Sequence, residues 1–340
     1  MADASAIARQ MITAYYAAFN RKAHHAMADL LDADVVHDIN QGPAEIGKDA
    51  FLAFLEHMAA CYDEQVDDLT IFTHGDTCPV AAEFVVSGRY LNTDSGFPHA
   101  SGQKYLIRCG AFFHIRNDKI SRVTTFYNIR EWKNQITPLK DEVTLERIQG
   151  RDILPYIDAL ASLRISVFRE YPYLYDGSLD YQKEYLAVYA RSTRATIILA
   201  RKGERIMGAS TAIPLEDEND YVQEPFVNAG IDLHKVFYFG ESVLDRAHRG
   251  LGIGYRFFVE REWTALELPE IDTTSFCAVI RPPDHPRKPA PYTSLDTFWL
   301  KRGYRKAAHL QSRFSWKEID EETESPKPMQ YWLKSWKRFR

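Results

Sequence analysis

Residues 240–254, Gly-Glu-Ser-Val-Leu-Asp-Arg-Ala-His-Arg-Gly-Leu-Gly-Ile-Gly, hold the chain's densest set of positions able to do chemistry. An apolar run over 236–244 ends in a polar turn. Arg249-Gly250-Leu251-Gly252-Ile253-Gly254 follows, and Tyr255, Val259, Trp263 and Leu266 then recur at helical spacing. Strand, glycine loop and helix start form the layout that binds a pyrophosphate. The loop N–H groups point at the anion, and the helix N-terminus adds partial positive charge. Glycine serves where a Cβ would block close backbone approach or a left-handed torsion. Glu241 lies two residues before Val243, so strand alternation puts both on one face. A carboxyl among apolar neighbours there is raised toward neutrality, which suits a general base.

The glycines at 250, 252 and 254 do not meet G-x-G-x-x-G, and no G-x-x-x-x-G-K-[ST] occurs. They do meet [RQ]-x-x-G-x-[GA], as Arg249-x-x-Gly252-x-Gly254, and here the second half of the chain resembles the GNAT acyltransferase superfamily. The predicted elements of 143–316 come in that family's order. They are helices over 153–169 and 180–189, strands at 196–201 and 205–214 around Lys202-Gly203-Glu204, the motif strand with its helix to 268, a strand at 273–280, a helix at 295–302 and a strand at 311–316.

This resemblance implies direct transfer of an acyl group from acetyl-CoA, or another acyl-CoA, to a small-molecule amine. It implies cofactor contacts from Val243, Leu244, Arg249, Gly250, Leu251, Gly252, Ile253 and Gly254. A backbone N–H near Val243 or Leu244 would polarise the carbonyl, with Glu241 as base. The family's acid is frequently a tyrosine where this chain has Trp299, whose indole is no proton acid at neutral pH. Tyr292 or Tyr304 then stands in, or solvent does, and Phe298 packs on the cofactor or the core. The plainer alternatives are a glycine-rich turn opening an amphipathic helix, and a Glu241 paired with Arg246 or another cation.

The first half has a different rhythm. Ile7, Met11, Tyr15, Ala18 and Phe19 recur at helical spacing, and further helices are predicted over 26–31 and 48–61. Four β-patterned runs follow at 69–74, 80–90, 103–116 and 120–130, with turns at Gly75-Asp76 and Asn117-Asp118. Helices followed by a meander indicate an α+β layer fold.

Several segments of this half resemble the SnoaL-like and ketosteroid-isomerase-related group of the nuclear transport factor 2-like superfamily. They are Tyr15-Tyr16-Ala17-Ala18-Phe19-Asn20, Asp34-Val35-Val36-His37-Asp38-Ile39-Asn40, Gly47-Lys48-Asp49-Ala50-Phe51, Phe112-Phe113-His114-Ile115 and Val123-Thr124-Thr125-Phe126-Tyr127-Asn128. The resemblance implies a bent sheet with a pocket at its mouth and a homodimer through this domain. Fold does not fix activity, so the alternatives for this domain are an isomerase- or cyclase-type enzyme and a non-catalytic dimerisation and ligand-sensing module, coupled to the second domain. Isomerase chemistry needs a carboxylate base and an oxyanion hole of Tyr plus protonated Asp. By the resemblance Asp38 takes the base position and Tyr16 the tyrosine position. The acid maps to Gly110-Ala111, where none exists, and Arg108 is offered as compensation. The alternatives are local pairing of Asp38 and Asn40, a core Tyr16 and an exposed Arg108.

With 340 residues and 45% hydrophobic content the chain suits two cores. The expected division is 1–136, a linker at 137–142, 143–316, and a tail at 317–340. In the tail Trp332, Trp336 and Phe339 recur at helical spacing among basic residues. The overall expectation is α+β: a cone-shaped sheet with helices, followed by a mixed α/β domain. A net charge of −5 gives no global attraction to nucleic acid, and no apolar run suits a bilayer. The N-terminus lacks the features of a secretion signal. Cys61, Cys78, Cys109 and Cys277 show no C-x-x-C or metal spacing, and the eleven histidines form no H-E-x-x-H. A cytoplasmic protein without a metal is expected. Two loops remain open: the cationic stretch 281–289, a rim for an anionic substrate or a solvated loop, and the tyrosines of 171–175, a substrate loop or core filler.

Overall fold

In the computed structural model, which describes residues 4–40, 42–74 and 77–339, the chain forms two units. One is Met1–Pro138 with Trp336–Arg340; the other is Leu139–Ser335.

The first unit runs α1 (Ala4–Asn20), α2 (His24–Asp29), β1 (Leu31–Ile39), β2 (Glu45–Ile46), α3 (Lys48–Cys61), β3 (Tyr62–His74), β4 (Thr77–Tyr90), β5 (Gln103–Arg116), β6 (Lys119–Tyr127) and α4 (Ile129–Ile136). Its sheet has the order β2-β1-β6-β5-β4-β3. Alternation divides β5 cleanly. Tyr105, Ile107, Cys109, Ala111 and Phe113 enter the core, while Arg108 and Phe112 face out. Ala8, Ile12, Tyr15 and Tyr16 form the buried face of α1. β1, which no sequence pattern announced, pairs parallel with β6 and puts Asp38 opposite Thr124. The strand expected to reach 130 stops at Tyr127, because Asn128 accepts from the Glu131 N–H and starts α4. From α4 the buried Gln135 side chain bonds Leu106 N and O at 2.7 and 2.9 Å, pairing a stretch of β5 that lies past the end of β6. The turn expected at Gly75-Asp76 and the side chain of Cys78 lie outside the described residues.

The second unit adds β7 (Thr144–Gln149), α5 (Ile157–Phe168), α6 (Leu179–Arg191), β8 (Thr196–Lys202), β9 (Arg205–Pro214), α7 (Asp220–Asn228), β10 (Val236–Tyr238), β11 (Ser242–Leu244), α8 (Ile253–Glu267), β12 (Thr273–Val279), α9 (Asp296–Leu300), β13 (Arg305–Trp316) and β14 (Ser325–Ser335). The sheet order is β13-β14-β12-β10-β9-β8-β7, with β11 pairing β9. β8 is buried from Thr196 to Ala200, as a strand covered on both faces must be.

The tail departs from expectation. Residues 325–335 are not helical; they form β14, inserted between β12 and β13. Pro326 and Pro328 cannot continue a helix interior, and the residues that matter, Met329 and Tyr331, are buried at the two-residue period of a strand. After Ser335 the chain joins the first unit, where Lys337 O accepts from Asp68 N at 2.8 Å. Among the described residues no helix is long and apolar enough to cross a membrane.

Candidate functional sites

The expected single strand over 236–244 is broken by one extra residue. Ile213 pairs with Tyr238, but Ser210 pairs with Ser242. Between them Gly240 N donates to Thr211 O, and Glu241 O accepts from Thr211 N. Two residues thus oppose one, a β-bulge, which bends its strand. On the other side β10 runs parallel with β12 only as far as Tyr238, and the last bond is Phe239 N to Ser275 O at 2.7 Å. Beyond it β12 continues against β14 alone, and β11 against β9 alone. The parallel strands therefore separate. Bonds from Glu241 O to Thr211 and from Asp245 N to Met207 mark 241, 243 and 245 as the rungs facing β9. The Val243 N–H is spent on Ala209, while those of Ser242 and Leu244 turn toward the gap. Of the two amides expected near the carbonyl, geometry leaves Leu244 and removes Val243.

The glycine loop lies past β11. Gly252 has φ +86° and Gly250 +79°, and a Cβ on Gly250 would meet nothing within 4 Å. Leu251 and Ile253 anchor the loop on Val143, Met207 and Phe257. α8 begins at Ile253 without a side-chain cap. Among the described residues no acceptor meets the amides of Gly250, Leu251, Gly252, Ile253 or Gly254. Arg249 points elsewhere: Nε bonds Leu244 O at 3.1 Å, and its other nitrogens grip Glu170 at 2.8 and 3.2 Å.

Glu241 is buried as expected, but its surroundings are not apolar. The Arg164 guanidinium contacts its carboxylate directly. Burial alone lowers the arginine, and Glu241 outweighs it, so Arg164 stays above its usual range. Buried Arg261 of α8 donates to Glu241 O at 3.3 Å and lies over the Phe239 and Phe258 rings, which secures the bulge; burial lowers its guanidinium to about 10.

A second carboxyl, which the sequence reading passed over, is Glu218. It is buried at 4% exposure. Tyr189 donates to Oε1 at 3.2 Å and Asn219 N to Oε2 at 2.7 Å. Burial lifts it from 4.5 to about 7; the Asn219 and Tyr189 bonds oppose that rise, and the Glu241 charge adds to it. With Val188, Arg191, Asp217, Asp220 and Tyr221 it lines a cleft of about 530 Å³.

The tyrosines proposed as acids differ in placement. Tyr304 is fully buried, with its hydroxyl 2.9 Å from Thr274 Oγ1 and its ring against Phe258 and Phe276. Burial raises it far above the ordinary phenol value, so it is a core residue and not an acid. Tyr292 is partly exposed, edge-on to Tyr171 at 4.7 Å. Trp299 packs on Trp332 and Phe276 in the core. Phe298 lies beside the loop, 3.9 Å from where a Gly254 Cβ would stand, and under the Arg302 guanidinium.

The two arginines of the cationic stretch after β12 are paired within the unit. Arg281 bonds Pro172 O, Tyr173 O and Glu318, and Arg287 pairs with Asp320. Tyr175 is core, packed with Trp316 and Met329.

In the first unit, Asp38 is buried but paired with Arg122 at 2.7 Å, with Thr124 Oγ1 at 3.3 Å. Tyr16 is a core residue against Phe84 and Phe113, and burial raises its phenol well above the ordinary value. Arg108 is on the outer face, paired with Glu83 at 2.7 Å; alternation in β5 turns it away from the core, so it does not complete an oxyanion hole. A carboxyl that does meet a core phenol is Glu64, which accepts from Tyr105 Oη at 2.6 Å. Burial raises its pKa, opposed by that bond and by Lys22. Its spacing in the sequence carried no signal, since pairing with Tyr105 joins two distant strands.

The SnoaL-like domain family matches residues 12–123. Three solved structures similar to the chain are provisionally described as polyketide cyclases. That from Xanthomonas campestris is 45% identical over 39% of this chain and 99% of its own, with a TM-score of 0.39. That from Pseudomonas putida is 46% identical over 38% and 98%, with a TM-score of 0.38. That from Silicibacter is 40% identical over 38% and 96%, with a TM-score of 0.38. No curated protein matches the chain.

Proposed function

Since the chain belongs, through residues 12–123, to the SnoaL-like family, we propose that it joins a domain of that family to an acyl-CoA-dependent N-acyltransferase of the GNAT type, acting on a small-molecule amine. The observation that carries the second part is the row of amides from Gly250 to Gly254 that meets no acceptor among the described residues, beside strands that separate. Unpaired amides at an uncapped helix start suit a diphosphate, and the Leu244 N–H suits a carbonyl oxygen. Acetyl-CoA, or another acyl-CoA, supplies an activated thioester when bound.

The chain's own part is to bind, orient and move a proton. Gly250–Gly254 hold the anion. Phe298 covers the loop's flank. Glu218, titrating near neutrality in an acidic cleft, takes the amine proton, and Glu241 stays behind it as the partner of Arg164. Tyr292 is the remaining phenol of the pair proposed to protonate the leaving thiolate.

Calorimetry with CoA tests the loop: Gly252→Glu abolishes binding, and unchanged affinity removes the assignment. Release of free CoA thiol with a panel of primary amines tests the base. Glu218→Gln lowers the rate and removes its dependence on a group near pH 7, whereas Glu241→Gln lowers the rate without removing that dependence.

A second reading rests on the SnoaL-like relatives and on the Glu64–Tyr105 pair: the first unit acts on a cyclic ketone or polyketide-like ligand. Loss of an isomerase or cyclase activity in Glu64→Gln with retention in Asp38→Asn supports it, and retention in both removes it. The first unit also offers a dimer face. Phe72, Ala81 and Phe112 lie in one row across β3, β4 and β5, with Phe72 and Phe112 about half exposed. A homodimer through this face predicts a monomer by light scattering for Phe112→Glu.

A further inference from the structure

Three side chains of the first unit, none used above, converge at the end of α3. His57 and Cys61 are four residues apart on that helix, so they project from one face. Asp94 comes from the loop after β4. One ligand atom from each lies within 4.8 Å of the others, and His57 Nε2 is 3.1 Å from Asp94 Oδ1. A tetrahedral ion bound at zinc–nitrogen and zinc–oxygen distances needs its ligands about 3.3 Å apart.

The loop carrying Asp94 is pinned. Leu91 N and Asn92 N donate to Cys61 O at 2.8 and 3.3 Å, and Asn92 Nδ2 donates to Ala60 O at 2.6 Å. Asp94 N donates to Tyr90 Oη at 2.7 Å. Tyr62 Oη donates to Asp94 Oδ2 at 2.8 Å, which leaves Oδ1 to face His57. An outer hydrogen bond that fixes one carboxylate oxygen and frees the other is the usual support of a metal ligand.

We propose that His57, Cys61 and Asp94 form a divalent-cation site of the zinc class. The mixture of imidazole, thiol and carboxylate decides the class: magnesium and calcium take oxygen ligands, whereas zinc takes all three donors. Three protein ligands leave a fourth position. Solvent reaches the cluster from the side of His57, whose side chain is 55% exposed. On binding, the Cys61 Sγ–H bond breaks, the sulfur pair forms the metal bond and the proton passes to water. No motif announces this site, because Asp94 is remote in sequence and His57-x-x-x-Cys61 alone is too common a spacing.

The test uses the full-length chain stripped with a chelator and titrated with Co²⁺. One saturable equivalent per chain is expected, with a near-ultraviolet thiolate-to-cobalt charge-transfer band that Zn²⁺ abolishes. Cys61→Ser loses the band. Tyr62→Phe weakens binding about 10- to 100-fold, and His57→Ala weakens it at least as much. His57 is exposed, so its variant remains decisive even where Cys61→Ser fails to fold. Absence of saturable binding, a band that survives Cys61→Ser, or unchanged affinity in His57→Ala overturns the proposal.

Discussion

The hydroxyl of Tyr189 lies 3.2 Å from Oε1 of Glu218 and fills the space that a side chain at residue 240 would need. One phenol thus joins the acidic cleft to the bulge that parts the strands. Its own pKa is raised far above the ordinary value, by burial first and then by the charges of Glu218 and Glu241, so it donates to Glu218 throughout the physiological range.

Glu218 makes stability depend on pH. Its folded-state value is raised from 4.5 to about 7, so the folded chain binds the proton more tightly than the unfolded one. That contribution is complete below the unfolded value and is lost as pH rises through the folded one. Wild-type Tm is expected to fall across this window, by the equivalent of at most about 3 kcal/mol. Glu218→Gln flattens the fall, and a profile identical to wild type refutes the assignment.

Gly240 is held small by the same phenol. A Cβ there would stand 1.9 Å from Tyr189 Oη and 2.8 Å from Thr211 Oγ1. Tyr189 is fully buried and cannot swing away. Gly240→Ala should cost about 1–3 kcal/mol in denaturant unfolding, and Tyr189→Phe in the same chain should restore part of it. Additive losses in the double variant would show that the two positions do not compete for space.

Tyr105 gives the first unit a comparable constraint. It is fully buried and donates to Glu64 at 2.6 Å. Tyr105→Phe removes that donor and should cost about 1.5–3 kcal/mol where Glu64 is ionised, and less at acid pH where it is protonated. Equal losses at both pH values would mean that the Glu64 charge plays no part.

Arg108 supplies the contrast. Its partner Glu83 is nearly half exposed and Arg108 itself 54% exposed. Arg108→Ala should change unfolding free energy by no more than about 0.5 kcal/mol. A larger loss would mean that the pair with Glu83 contributes more than an exposed ion pair does.

What was legible in sequence was what depends on near neighbours. The helix over 48–61, the strand over 103–116 and the glycine loop at the start of α8 follow from periods of 3.6 and 2 and from the torsions that glycine tolerates. One pattern misled. Trp332, Trp336 and Phe339 match a helix, yet the partners of 325–335 are β12 and β13, and pairing with them outweighs a weak local preference. β7, which carries charge at Glu146 and Arg147 as edge strands do, drew no strand prediction. The tertiary structure alone decided which carboxylates have cations: Glu241 met Arg164, Asp38 met Arg122, and Glu218 met the Tyr189 phenol and the Asn219 amides. Hydration and the unpaired charge set a pKa, and both come from chain segments brought together by folding. For the same reason residue spacing exposed the glycine loop, but not the bulge beside which the Leu244 amide turns toward the gap between the strands.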